Sequence, residues 1–101
     1  MDIFVRDRGI ESELRLSRVM ELLRPVVADW KQVMLYLGVP KEVIDRAELE
    51  QRGIEDRKME ALDWWLRNDE SASWRSLGDA LRKAGYQHLA LNAYYKRGML
   101  V

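Results

Sequence analysis

The chain has no cysteine among its 101 residues, which removes a disulfide framework, a thiolate zinc site and a cysteine nucleophile together. Histidine occurs once, as His88, with no carboxylate at helical spacing on either side. Metal binding and general-base catalysis therefore have little to build on, and the chain is expected to be no enzyme and to need no cofactor. No run approaches the ~18 apolar residues of a membrane span. The start, Met1-Asp2-Ile3-Phe4-Val5-Arg6-Asp7-Arg8, mixes charges where a signal peptide would be apolar. These absences fit a cytoplasmic protein. Net charge is absent too, with 17 Lys+Arg against 17 Asp+Glu.

That neutrality hides a polarity. Residues 41–70 hold 6 basic and 10 acidic side chains, a balance of −4, whereas residues 71–101 hold 5 and 1, a balance of +4. A molecule with one acidic and one basic region can associate with its own copies or relatives in a salt-sensitive way, and the competing reading is a solvated surface that segregates by chance.

A chain this long is one domain, able to bury roughly 65% of its unfolded surface without a metal or disulfide staple. Residues 1–12 show no sustained period and read as a tail or linker. From Leu16 the positions Leu16, Val19, Met20, Leu23 and Val27 follow helical spacing, and Pro25 breaks or bends this first helix. Asp29 and Gln32 have the spacing of a capping box. Behind them Trp30, Val33, Met34 and Leu37 share the face of a second helix, ended by Gly38. Pro40 suits the first turn of a third helix that buries Val43, Ile44 and Ala47.

The fourth helix, from about residue 55 to 68, places Met59, Leu62, Trp65 and Leu66 on one face. Glu55 and Asp56 at its start and Arg67 at its end complement its dipole. Ser73 caps a fifth helix striped by Trp74, Leu77, Leu81 and Ala84, ended by Gly85. The sixth presents Tyr86, Leu89, Ala90 and Ala93 inward up to Gly98, leaving an apolar tail at residues 99–101. Six helices with short connections and no alternating apolar run predict an all-α bundle. Its core is expected to contain Trp30, Leu37, Ile44, Leu62, Trp65, Leu66, Trp74, Leu77 and Leu81, with the five methionines as filler.

Taken together, Asp29-Trp30 through Leu37-Gly38-Val39, then Ile44, then Leu62 with Trp65-Leu66, then Ala72-Ser73-Trp74 through Leu77, Ala80-Leu81 and Gly85 resemble the death-domain pattern. The resemblance covers roughly residues 13–97, within a domain expected at 13–98. It implies a six-helix antiparallel Greek-key bundle acting as a non-enzymatic adaptor. The partners it implies are other death-domain proteins or the chain's own copies, in apoptotic, innate-immune or receptor signalling. It also implies an intracellular place, as in the C-terminal part of a larger protein. Where death-effector relatives carry Arg-x-Asp-Leu, this chain reads Tyr94-Tyr95-Lys96-Arg97, which disfavours that sister class.

Candidate binding residues follow from this sequence alone. Trp64 points about 160° away from the mean direction of Met59, Leu62, Trp65 and Leu66. Beside it on that face lie Arg57, Glu60, Arg67 and Asn68. In a single-faced helix Trp64 is an exposed aromatic anchor among polar groups; in a central helix both tryptophans are buried. Leu35, with Tyr36 beside it, opposes the inward stripe of helix two in the same way. Leu91 and Tyr95 lie off the inward stripe of helix six. Glu42 and Asp45, with Glu48 nearby, form an acidic face on helix three. The resemblance implies that such a face can meet Arg15, Arg18, Arg57 or Arg67 on helices one and four of a neighbour. An alternative is a small helical nucleic-acid-binding domain carried by Arg75, Arg82, Lys83, Lys96 and Arg97. Against it, these residues do not line one face, and a pI near 6.6 is low for such a module; no nucleic acid partner is expected.

Overall fold

The structure, a computed structural model, describes residues 14–97; the expected tails at 1–12 and 99–101 lie outside them. The described residues form six α-helices: α1 (Leu16–Leu22), α2 (Trp30–Leu37), α3 (Lys41–Glu50), α4 (Ile54–Asn68), α5 (Trp74–Lys83) and α6 (Gln87–Arg97). Among them α1 packs on α4 and α6, α2 on α3, α4 and α5, α3 on α4, and α5 on α6. Neither α1–α2 nor α4–α5 forms a packed pair. An up-and-down bundle would pack both, so the chain crosses between layers as the Greek-key expectation requires.

The terminators act where their chemistry predicts. Gly38 and Gly85 take φ of 94° and 92°, the left-handed region that glycine enters without a Cβ penalty. Ser73 caps α5: its hydroxyl accepts from the Ser76 amide at 3.0 Å, and the Ser76 hydroxyl accepts from the Ser73 amide at 3.0 Å. Ser73→Ala is expected to lower stability by about 1 kcal/mol in a denaturant melt. A loss below ~0.3 kcal/mol would mean that packing of Trp74, not the cap, starts this helix.

Other local expectations fail for identifiable reasons. Asp29 does not bond its own helix. Its carboxylate instead accepts from the Tyr86 hydroxyl at 3.2 Å, tying the start of α2 to the residue before α6. Helix α1 stops at Leu22, three residues before Pro25, so the proline lies in the connection and bends nothing. With the register lost, Val26 turns inward and Val27 outward.

The core holds Trp30, Leu37, Ile44, Leu62, Trp65, Trp74, Leu77 and Leu81, all buried, while Leu66 is only partly buried at its edge. Two tryptophans set the centre. Trp65 is fully buried, and its Nε1 donates to Asp69 at 3.1 Å; the other Asp69 oxygen accepts from the Ser71 amide at 2.8 Å. One carboxylate thus satisfies a buried indole and shapes the turn that delivers Trp74 to the same core. Lys96, near the end of α6, places its ammonium 5.7 Å from the Trp74 ring centroid. Of the methionines, Met34 is buried and Met20 partly so, but Met59 is 41% exposed, contrary to its expected inward place.

The residue that displaces Met59 is Lys58. Its side chain is fully buried. The ammonium donates to the carbonyls of Leu23 at 2.8 Å and Val26 at 2.9 Å, and pairs with Glu55 at 2.9 Å. An ammonium has three donors, and all three are used. Two of the acceptors belong to the chain just after α1, so Lys58 fastens α1 to α4.

Two tyrosines titrate late. Burial, then the hydrogen bond to Asp29 and that carboxylate's charge, raise the Tyr86 pKa above its ordinary 10.0. Burial also leads the rise at Tyr94, followed by its bond to Asp79, with Arg82 and Arg75 opposing. A raised phenol pKa contributes stability that is complete below the unfolded value and lost as pH rises through the folded one. Melting temperature is therefore expected to fall above pH ~10 more steeply in the wild type than in a Tyr86→Phe, Tyr94→Phe double variant. Parallel curves would show that neither phenol couples to folding.

Candidate functional site

Among the described residues no group of three His, Cys, Asp or Glu is placed to hold a metal ion, and His88 is exposed in the first turn of α6. No helix of the structure is long and apolar enough to cross a membrane.

The outer face of α2 is built by its own periodicity. Trp30, Val33, Met34 and Leu37 bury one side, which turns Lys31, Gln32, Leu35 and Tyr36 to solvent. Leu35 is 48% exposed and Tyr36 is similarly open, so two large apolar groups stand side by side on a short helix. On α3 beside it, burial of Val43, Ile44 and Ala47 forces Glu42 and Asp45 outward. Asp45 pairs with Lys41 at 3.1 Å, and Glu48 pairs with Lys31 of α2 at 2.7 Å. The Lys31–Glu48 pair links the two helices into one surface.

A second surface lies along α1 and α4. Here a groove of about 850 Å³ runs between the helices, with Leu16, Met20 and Met59 as its apolar lining and Arg18, Glu21, Arg24 and Glu55 as charged edges. Arg18 is exposed on α1, and Arg15 is exposed at its N-cap. The candidate cations of α4 are engaged. Arg57 donates through Nε to the Gln51 carbonyl at 2.8 Å and is partly buried, and Arg67 pairs with Asp63 at 2.9 Å.

Trp64 takes neither of the two extremes. It is partly buried and packs against the core, and its carbonyl accepts from the Asn68 side chain at 2.9 Å. Glu60, on the same face, accepts from Gln51 Nε2 at 3.2 Å and pairs with Arg46 at 3.6 Å. Helix α4 is overlaid on several sides because α1, α2 and α3 all pack on it, which a single-faced reading of its pattern does not anticipate. The structure thus exposes Leu35 and Tyr36 on α2 and Glu42 and Asp45 on α3, and places Arg18 at the α1–α4 groove with Arg15 just before α1. It leaves Trp64, Arg57 and Arg67 partly engaged elsewhere.

Lys58 is the residue that sequence reasoning passed over. The signal was present, since Lys58, Ala61, Leu62 and Trp65 follow i, i+3, i+4, i+7 spacing and are the buried positions of α4. A charged side chain on that stripe is rarely buried without partners, and its partners here are backbone carbonyls that no sequence pattern announces.

Six helices in this packing order carry apolar and charged patches and a groove along α1 and α4. The family model of the death domain matches residues 13–96. The chain belongs to the death-domain family, whose members are interaction modules in signalling. No curated protein and no solved structure matches the chain.

Proposed function

We propose that this domain is a non-enzymatic signalling adaptor that binds other death domains, including its own copies, in apoptotic, innate-immune or receptor pathways in the cytoplasm. The observation that carries the reading is the α2–α3 surface, where Leu35 and Tyr36 are exposed on one helix, Glu42 and Asp45 on the next, and the Lys31–Glu48 pair joins the two helices. An apolar centre bordered by charge is the composition of a protein interface. Its counterpart on a partner of the same fold is the α1–α4 surface, with Arg18 at a groove lined by Leu16, Met20 and Met59 and Arg15 exposed just before α1. Leu35 and Tyr36 would supply the affinity, and the carboxylate–guanidinium pairs the register. Each exposed pair adds only ~0.2–1 kcal/mol and is weakened by salt. Trp64, Arg57 and Arg67 of α4 are secondary candidates for contact.

The test is association measured by light scattering against protein concentration and salt. Leu35→Asp is expected to weaken association at least tenfold and Arg18→Glu by about two- to fivefold, both with an unchanged melt. Association insensitive to both substitutions would place the interface elsewhere. The nucleic-acid alternative predicts salt-dependent retention on DNA, and the absence of retention at low salt would dismiss it.

A further inference from the structure

The outward side of α5 belongs to neither surface invoked above, and its charges are incompletely matched. Burial of Trp74, Leu77, Gly78, Ala80 and Leu81 turns Arg75, Asp79, Arg82 and Lys83 away from the core. Spacing of i, i+4 and i+7 places Arg75, Asp79 and Arg82 on one ridge. Two guanidiniums therefore flank a single carboxylate, with Arg75 Nε 4.0 Å and a terminal Arg82 nitrogen 3.7 Å from its oxygens. Both separations are longer than a hydrogen bond of about 3 Å. Arg67, by contrast, holds Asp63 at 2.9 Å.

Tyr94 of α6 accounts for the mismatch. Its ring fills the space over Gly78, and its hydroxyl donates to Asp79 Oδ1. That is the oxygen nearest Arg82, so the carboxylate is committed to α6 before either arginine can close on it. Arg75 also precedes Asp79 in the chain, the weaker orientation for a helical ion pair. The ridge is left with more cation than anion, and Lys83 adds to it. One turn before Tyr94 on α6, Leu91 is 48% exposed, so a large apolar group accompanies the charges. Residues 71–101, which contain both helices, carry +4.

We propose that the α5–α6 face docks an acidic linear segment of a partner protein, with one carboxylate on Arg75, another on Arg82 and an apolar side chain against Leu91. The contact goes beyond the homotypic reading, since it uses neither the α2–α3 nor the α1–α4 surface and needs no partner of the same fold. The two arginines lie about 10 Å apart along the helix axis, the span of carboxylates about three positions apart in an extended segment. A guanidinium can give a carboxylate two parallel hydrogen bonds, which neither arginine gives Asp79. The position of Asp79 also selects the ligand. A dianionic phosphate centred between the two cations meets a like charge there, whereas separate carboxylates reach each arginine from the side away from Asp79. A nucleic-acid backbone carries the same penalty and gains nothing from Leu91. Exposed pairs of this kind are individually weak and screened by salt, so the contact is salt-sensitive.

The experiment titrates the isotope-labelled full chain at low salt with a synthetic glutamate-rich peptide carrying one central leucine, and with the same peptide made with glutamines. Amides of α5 and of the first two turns of α6 are expected to shift with the glutamate peptide alone. Arg75→Ala and Arg82→Ala are each expected to weaken binding about two- to fivefold, and the double variant about tenfold, with unchanged melts. Asp79→Asn removes the competing carboxylate and is expected to strengthen binding about two- to fivefold. Glu50→Gln makes the same change of net charge on α3 and is expected to leave binding unaltered. The two arginine variants carry the test if Asp79→Asn does not fold.

No shift up to millimolar peptide, an equal response to both peptides, or full binding by the double arginine variant overturns the contact. An effect of Glu50→Gln as large as that of Asp79→Asn would reduce the attraction to net charge and would equally defeat it. Phosphatidylserine vesicles or single-stranded DNA that displace the peptide and bind the same amides more tightly would assign the ridge to phosphate instead. Self-association of the double arginine variant, followed by light scattering, is expected to match that of the wild type. Failure of the peptide contact therefore leaves the homotypic reading standing, and a chain that does not associate with death domains can still bind the peptide.

Discussion

Replacing Lys58 by methionine is expected to destabilise the domain by about 3 kcal/mol and to lower its melting temperature by roughly 10–25 °C. Methionine approximates the length of lysine, so little volume is lost and the effect isolates the ammonium. Exchanging a buried ion pair for apolar groups is often neutral, because both charges leave together. Here two of the three acceptors are the backbone carbonyls of Leu23 and Val26, and no side-chain substitution removes them. The Leu23 carbonyl keeps the Val26 amide as a donor at 2.9 Å, so the Val26 carbonyl is the group left most exposed to an unmet desolvation cost. The side chain of Glu55 is about half exposed, and Glu55→Gln is expected to cost under ~1 kcal/mol. Urea melts of both variants check the pair. A methionine variant as stable as the wild type would mean that the carbonyls find water once the ammonium is gone. Because Lys58 holds α1 on α4, the same variant is expected to weaken partner binding through Arg18 even at temperatures where it remains folded.

The second large effect is expected at Gly78, in the middle of α5. Helix propensity alone favours Gly78→Ala by about 1 kcal/mol. Packing opposes it, because a Cβ at this position would lie 2.5 Å from Cε1 and 2.9 Å from Cδ1 of Tyr94. That ring cannot simply swing away, since its hydroxyl donates to Asp79 one residue along α5. Overpacking costs about 1–3 kcal/mol, and loss of a hydrogen bond to a carboxylate adds about 1.5–3. The net expectation is destabilisation by about 2 kcal/mol, opposite in sign to the propensity argument. Trimming the ring by Tyr94→Leu should relieve the clash, so a double-mutant cycle is expected to show coupling above ~1 kcal/mol. Additive effects, or a more stable Gly78→Ala, would show that α6 shifts outward at little cost.

Local chemistry made most of the fold legible in the sequence. Gly38, Ser73 and Gly85 act through their own backbone or hydroxyl, and they set helix ends where their residue types predict. Periodicity also separated Trp30 and Leu37 from Leu35 and Tyr36 correctly, because α2 is buried on one side only. The method failed where a helix is overlaid on several sides. On α4, contact with α1, α2 and α3 leaves Trp64 partly covered and Met59 exposed, and draws Lys58 inward toward carbonyls that belong to another part of the chain. Asp29 failed for a related reason: its carboxylate serves Tyr86, a partner 57 residues away. Contacts of that separation carry no local signature. The candidate surface was legible only in outline, as outward residues on named helices; that Lys31 ties α2 to Glu48 of α3, while Arg67 is engaged by Asp63, required coordinates.

The most direct test of the account is a nuclear magnetic resonance titration of the isotope-labelled domain with an unlabelled death domain, beginning with its own unlabelled copy. Perturbed amides are expected to cluster at Leu35, Tyr36, Glu42 and Asp45 on one surface and at Arg15 and Arg18 on the other, to fade with added salt, and to leave core positions such as Leu62 and Trp65 unmoved. A spectrum unchanged by every death domain tried, or one perturbed only by nucleic acid, would contradict the reading of this chain as a homotypic interaction module.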